Sequence, residues 1–415
     1  MNSPPEPKKK LSYGWIVAIA GAAVFAVGGN LPNIFGIFIK PLIHEFGWSR
    51  AAISGVITTR GIVTGLTSTI TGTLSDRHGP RKFILAGVLL SGLGYLLASL
   101  TINLWQLYLF LGVGYGVGMS LLLVPILGTS TKWFGSKSAL ANGVTLSGFG
   151  LSQVFLPPIA TLIILQYNWQ HSFIFLGIIA LAIGTAGWYF IRIPPHSMAQ
   201  SLKSQGEIDA DYRRKNSTIV EEGYTFSQIM HTPTLWLLFM IYLVVAASYH
   251  LVVTHIVAAA TDTGITPEAA SIALTFSGIT GVVGGLTLGG MANKIGNKTV
   301  LVLCLVIQAL GVFCLAEADN LPTFYIISIV FGLAYGGTTP IVPALSAGFF
   351  GTRLIGSIVG ILNVAYASGA AIGPILAGYI YDIHGSYYTA FILAGSALMI
   401  TGIICLFMKT PRQRS

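Results

Sequence analysis

The feature that most constrains this chain is a series of twelve apolar stretches, each long enough to cross a bilayer. Crossing roughly 30 Å of hydrocarbon takes about 20 helical residues. Such stretches fall at 13–38, 51–74, 83–101, 104–130, 138–164, 170–192, 233–260, 268–292, 299–317, 321–347, 355–380 and 387–408. Backbone N–H and C=O groups find no water in lipid, so each stretch must satisfy its own and be a helix. Barrel strands would be shorter and would alternate apolar with polar residues, and these do not. The expectation is an all-α membrane protein. Composition agrees: the chain is 53% hydrophobic and only 8% charged, too little charge to cover a water-facing surface of 415 residues.

The basic residues set an orientation. Of the 22 Lys and Arg residues, only Lys40, Arg50 and Arg60 fall off the cytoplasmic side when both termini are placed there. The others, among them Arg77, Arg81, Lys82, Lys132, Lys294 and Lys298, sit where the positive-inside rule wants them. This predicts a multi-pass protein of the cell (inner) membrane with both termini cytoplasmic. Because the basic residues are spread over short loops, the net charge of +9 does not describe a nucleic-acid surface. The basic start at Lys8, Lys9 and Lys10 leads into an apolar run too long for a signal-peptide core, so it reads as a retained first span. Cys304, Cys314 and Cys405 all lie in apolar runs, which implies neither disulfides nor a metal site. No phosphate-binding loop and no nucleophile–base pair stands out, so neither a cofactor nor an enzyme is expected.

The longest polar segment, 193–230, carries Pro194 and Pro195 and divides the chain into 1–192 and 231–415. Each part holds six of the stretches, and a repeated loop relates them. After the second stretch the chain reads Gly72-Thr-Leu-Ser-Asp76-Arg77-His-Gly79-Pro-Arg81-Lys82. After the eighth it reads Gly289-Gly-Met-Ala-Asn293-Lys294-Ile-Gly296-Asn-Lys298. Such a repeat marks a duplicated six-helix unit, so two pseudo-symmetric six-helix bundles are expected. The first copy resembles the signature loop of the major facilitator superfamily. By that resemblance Asp76, Arg77, Arg81, Asn293 and Lys294 form a conformational latch, with Asn293 standing where the family usually has Asp.

Further motifs narrow the resemblance. They are Tyr13-Gly14-Trp15 and Leu31-Pro32-Asn33 in the first stretch, and Lys132-Trp-Phe134 with Leu140-Ala141-Asn142-Gly143 around the fifth. They resemble the signatures of the monocarboxylate transporter family and its bacterial relatives, the oxalate/formate-type exchangers included. The resemblance implies a secondary transporter of small monocarboxylates such as lactate or pyruvate, usually moved with a proton. The chain departs from that pattern at the anion anchors. The family's Asp and Arg of the eighth stretch correspond to Gly281 and Gly285, its Lys after the first-stretch Pro to Asn33, and the exchangers' Lys of the eleventh stretch is absent.

The anion must then be held otherwise. An ionisable residue inside a span costs at least roughly 2.5 kcal/mol to insert and is a functional candidate by default. Arg60 lies about 14 Å along the second helix at 1.5 Å per residue. Thr64, Thr67 and Thr71 follow on its face, a stripe expected to line an aqueous path. Arg60 could hold a carboxylate through two hydrogen bonds, or it could snorkel to the rim. His250 and His255 could carry a proton or an anion, or simply bond between helices. Asn30, Asn33, Tyr115, Asn142, Gln153, Tyr335, Asn363 and Tyr366 could add hydroxyl and amide groups, and Pro32, Pro125, Pro340 and Pro374 mark kinks. The expected function is proton-coupled monocarboxylate transport by a monomer working through alternating access. An exchanger for dicarboxylates or inorganic anions and a non-transporting solute sensor are the alternatives.

Overall fold

Apolar length turns into twelve helical spans in chain order. The structure, a computed structural model, describes residues 8–29, 31–134, 138–195, 226–350 and 355–408. Span one is built from Lys8–Gly28, Leu31–Ile34 and Gly36–Phe46. Spans two to six are Arg50–His78, Pro80–Ala98, Leu104–Phe134, Ser138–Gln166 and Trp169–Phe190. After a short helix, Phe226–Met230, spans seven to twelve are Pro233–Asp262, Pro267–Ile295, Asn297–Ala316, Leu321–Phe350, Ile355–His384 and Tyr388–Phe407. Most of the expected linker lies outside the described residues.

Ten of these helices are long and apolar enough to cross a membrane by composition alone. The two exceptions are informative. Span two carries Arg60 and a series of threonines, and span one is broken where the sequence predicts one continuous helix over 13–38. The break follows from Gly28-Gly29 and from Pro32, whose missing N–H and bulky ring interrupt a helical ladder. The freed backbone is not left bare: Leu31 N–H donates to the Tyr115 hydroxyl at 3.1 Å. Span four is also irregular, with a π-helical stretch over Tyr108–Gly114 just before Tyr115. Such wide turns re-aim the side chains that follow and recur at functional sites.

The same neighbours recur in both halves. Spans one and five, two and four, and three and six pack together in the first half; seven and eleven, eight and ten, and nine and twelve repeat the pattern in the second. Helices gain no hydrophobic drive from each other in lipid, so close backbone approach does the work. A Cβ on Gly148 would stand 2.1 Å from the Ala22 carbonyl oxygen, and one on Gly373 would stand 2.1 Å from that of Ala247, at the equivalent seams. The repeated loops share one conformation too. Gly79 has φ +86° and ψ 142°, and Gly296 has φ +93° and ψ 141°, a left-handed region that favours glycine.

The halves meet along spans two and eleven and along spans five and eight. We call the end that carries Tyr13 and Phe407 the terminal face and the opposite end the far face. Cross-half contacts cluster from mid-membrane to the far face. Ala51 backs onto Gly378, Gly36 onto Thr254, and Gln153 onto Gly278. Toward the terminal face, a Cβ on Gly65, Gly128, Gly143, Gly290 or Gly360 would meet open space, and Asn363, Thr339 and Pro340 are exposed. Among the described residues, the molecule is closed at the far face and splayed at the terminal face.

Candidate functional site

Midway through the bilayer, side chains from both halves converge on Arg60. The Arg60 guanidinium carbon sits 6.0 Å from the Tyr115 ring centroid, and its Nε is buried without a hydrogen-bond partner. No carboxylate pairs with it among the described residues. Its charge acts on Tyr115 in its own half and on Tyr366 and His250 across the boundary. Tyr115 is fully buried, clasps Leu31 at the break of span one and meets Tyr95 edge to face at 5.3 Å.

The second half answers with a phenol–imidazole chain. His250 Nε2 is 3.2 Å from the Tyr366 hydroxyl, which is 2.9 Å from the Tyr335 hydroxyl. Tyr335 stacks on Tyr249 with centroids 3.5 Å apart. Tyr249 O–H donates to Gln153 Oε1 at 3.3 Å, and Gln153 Nε2–H donates to Ser277 Oγ at 2.9 Å, which ties spans seven, five and eight together. His250 Nδ1 is buried with no partner. The result is one cation facing hydroxyls and a free imidazole nitrogen, an arrangement suited to a small singly charged anion.

The structure sorts the expected residues. Arg60, Tyr115, His250, Tyr335 and Tyr366 come together. Asn33 lies half-buried in the short helix after the break. Asn363 is exposed one turn from Tyr366, on the open side. Asn30 lies outside the described residues. Asn142 does not join the site: it donates to Thr131 Oγ1 at 3.0 Å near the terminal end of its helix, within one half. The threonine stripe does not line an aqueous path as expected. Thr64 donates to the Gly116 carbonyl at 2.8 Å and Thr71 is 2.8 Å from Ser120 Oγ, so both fasten span two to span four. Tyr249, and Tyr242 whose ring lies 5.3 Å from that of Tyr366, were not expected, because a tyrosine inside an apolar run looks like any packing aromatic.

His255 belongs elsewhere, in a cluster that closes the far face. There Asp262 takes Lys40 at 2.8 Å and both guanidinium nitrogens of Arg50 at 3.0 Å. Asp382 accepts the Arg50 and Ala51 backbone N–H groups at 2.9 Å each, capping span two. Arg50 is 7% exposed, lies 3.5 Å over the Tyr381 ring and donates to the Tyr387 hydroxyl at 2.7 Å. Fully buried His255 joins Tyr387 at 2.8 Å and the Pro374 carbonyl at 2.9 Å. Span two is also tied to span eleven by Thr58, which donates to the Ala371 carbonyl. A separate cleft of about 650 Å³ opens beside this cluster, between Gly36, Lys40 and Trp169 of one half and Val257 and Thr261 of the other.

Of the expected latch, the Asp76 and Asn293 side chains lie outside the described residues. Arg77 and Lys294 are exposed, and Arg81 lies 4.9 Å over the Trp188 ring while its carbonyl accepts the Trp188 indole N–H at 2.9 Å.

Two six-helix halves enclosing a polar mid-membrane site, with one face shut and the other open, define a secondary membrane transporter. The chain matches the model of the Major Facilitator Superfamily over residues 15–259 and 238–415, and it belongs to that superfamily. It is 25% identical over 413 residues to monocarboxylate transporter 13 of Rattus norvegicus, covering 96% of this chain and 92% of the relative. It is 24% identical to human monocarboxylate transporter 2, covering 97% and 87%. In fold it matches a bacterial homologue of the human lysosomal transporter Spinster, in inward-facing occupied form, with TM-score 0.69 and 14% identity over 98% of this chain and 96% of that one. The unoccupied inward-facing form of the same homologue gives 0.67 at 15% identity, over 97% and 96%.

Proposed function

We propose that this protein carries small monocarboxylates across the cell membrane by alternating access, with the anion held at Arg60. The observation that carries the reading is Arg60 itself, a mid-membrane cation with no carboxylate partner among the described residues, within electrostatic reach of Tyr366 and His250 of the other half. An unpaired cation in lipid is costly, and a carboxylate ligand would offset that cost through two charge-assisted hydrogen bonds. The relatives named as monocarboxylate transporters support the same substrate class. Gly281 and Gly285 stand where the family pattern places its anchors, so in this reading the cation comes from the opposite half.

In this reading the halves are 1–192 and 231–415, and the terminal face is cytoplasmic because the basic loops lie there. A monomer suffices, since one chain contributes every group at the site. The free Nδ1 of His250 offers a place for a co-transported proton beside the anion. A singly charged site favours monoanions over dianions. Counterflow in proteoliposomes tests this, with labelled lactate, pyruvate, formate and acetate against oxalate and sulfate. Uptake of the monocarboxylates that rises with an inward proton gradient is the expected result. Uptake of dianions alone would replace it with anion exchange, and uptake of none would end the anion reading.

A further inference from the structure

The far-face cluster contains a proton-binding site outside the substrate layer. We infer that His255 is an allosteric proton site: the far face closes only with His255 neutral, and acid on that side favours the far-open state.

Hydrogen-bond polarity fixes where each proton of the cluster sits. The Pro374 carbonyl can only accept, so the proton of neutral His255 is on Nε2. Ser54 Oγ lies 3.3 Å from the same nitrogen. Arg50 can only donate, so the Tyr387 oxygen accepts from it at 2.7 Å. The Tyr387 proton then goes to the lone pair of His255 Nδ1 at 2.8 Å. The relay runs in one direction, from Arg50 through Tyr387 and His255 to Pro374. It joins span two of the first half to spans seven, eleven and twelve of the second.

A second proton on His255 breaks this order. Nδ1 loses the lone pair that takes the Tyr387 proton, and the hydroxyl has no other acceptor among the described residues. Charge points the same way. The groups around His255 are Arg50 from span two, Lys40 from span one, Asp262 from its own helix, Asp382 and Tyr381 from span eleven, and Tyr387 at the start of span twelve. Two cations already balance two carboxylates. A charged His255, fully buried beside Arg50, puts an uncompensated positive charge into the closed interface. Separating the halves at the far face would give that charge water. By linkage, protons bind the far-open state more tightly, so acid populates it.

This rests on the alternating-access reading but not on Arg60 or on which anion is carried, so the test uses no substrate. Spin labels at Ile102→Cys and Asp319→Cys, both exposed in far-face loops of opposite halves, report the gap by pulsed electron resonance. The measurement uses the full chain in lipid nanodiscs, with the native cysteines replaced. On going from pH about 8 to about 5.5, across the ordinary range of a histidine, the long-distance population should rise about tenfold. His255→Gln keeps an amide that can accept from Tyr387 and donate to Pro374 but cannot take a proton. It should stay closed at both pH values. Tyr387→Phe, which removes the hydroxyl that needs the lone pair, should also lose most of the response and covers the case in which the first variant does not fold. A wild type without a pH response, or a His255→Gln protein that keeps it, overturns the proposal. Arg50→Gln serves as the opened reference: a gap that never widens there removes alternating access itself, whereas widening there alone removes only the proton site.

Discussion

Arg50 grips Asp262 through both guanidinium nitrogens, each 3.0 Å from a carboxylate oxygen, across the boundary between the two halves. The pair is one of several polar links between the halves, beside Lys40 on Asp262, Asp382 on the Arg50 backbone and Gln153 on Ser277, and it sits at the end of the molecule that is shut. Its position gives a mechanical meaning to a charge that the positive-inside count leaves over.

Asp262→Asn should weaken that closure. Hydrogen bonds to charged groups contribute about 1.5–3 kcal/mol, and Asp262 is partly exposed, so a loss near the lower figure is expected. That corresponds to roughly a tenfold larger far-open population. Cysteine-labelling rates at the far face would measure it.

Arg60→Gln should abolish carboxylate binding while leaving the protein folded, because no described partner depends on the guanidinium. Arg60→Lys keeps the charge but loses the fork, and its affinity should fall about tenfold. Ligand-dependent shifts in melting temperature, followed with lactate or pyruvate, separate the two. Unchanged affinity in Arg60→Gln would move the anion elsewhere.

Tyr115→Phe leaves the Leu31 N–H buried at the break of span one without its hydroxyl partner. An unsatisfied buried donor costs about 1–3 kcal/mol, so the variant should melt lower even without ligand. Binding should change little by comparison, because phenylalanine keeps the ring that flanks Arg60.

Gly336→Ala should destabilise the second half. Its Cβ would stand 1.9 Å from the Gly281 carbonyl oxygen at the seam of spans eight and ten. Overpacking of this kind costs about 1–3 kcal/mol. Gly290→Ala, whose Cβ meets open space, is the matched control and should melt like the wild type.

Much of the molecule was legible in the sequence, and the reasons differ from residue to residue. Apolar length alone marks the spans, because lipid imposes one backbone solution. The Gly79 and Gly296 loops announce the duplication because both keep the same turn. Arg60 stands out because charge inside a span is costly. Asn142 and Asn363 could not be told apart in this way: each is a polar residue inside an apolar run, yet one bonds within its half and the other faces the opening. Thr64 and Thr71 share a face with Arg60 but spend it on span four.

What the sequence by itself determined is how many helices there are and that the chain is doubled, since both follow from length and local turn chemistry. Only the tertiary structure decided the break in span one, the π turn that sets Tyr115, and the separation of His250 at the anion layer from His255 in the far-face cluster. The physical reason is that a membrane helix is apolar on nearly every side. Its periodicity therefore says little about which way it faces, and its rotation is set by the small residues and hydrogen bonds of its neighbours.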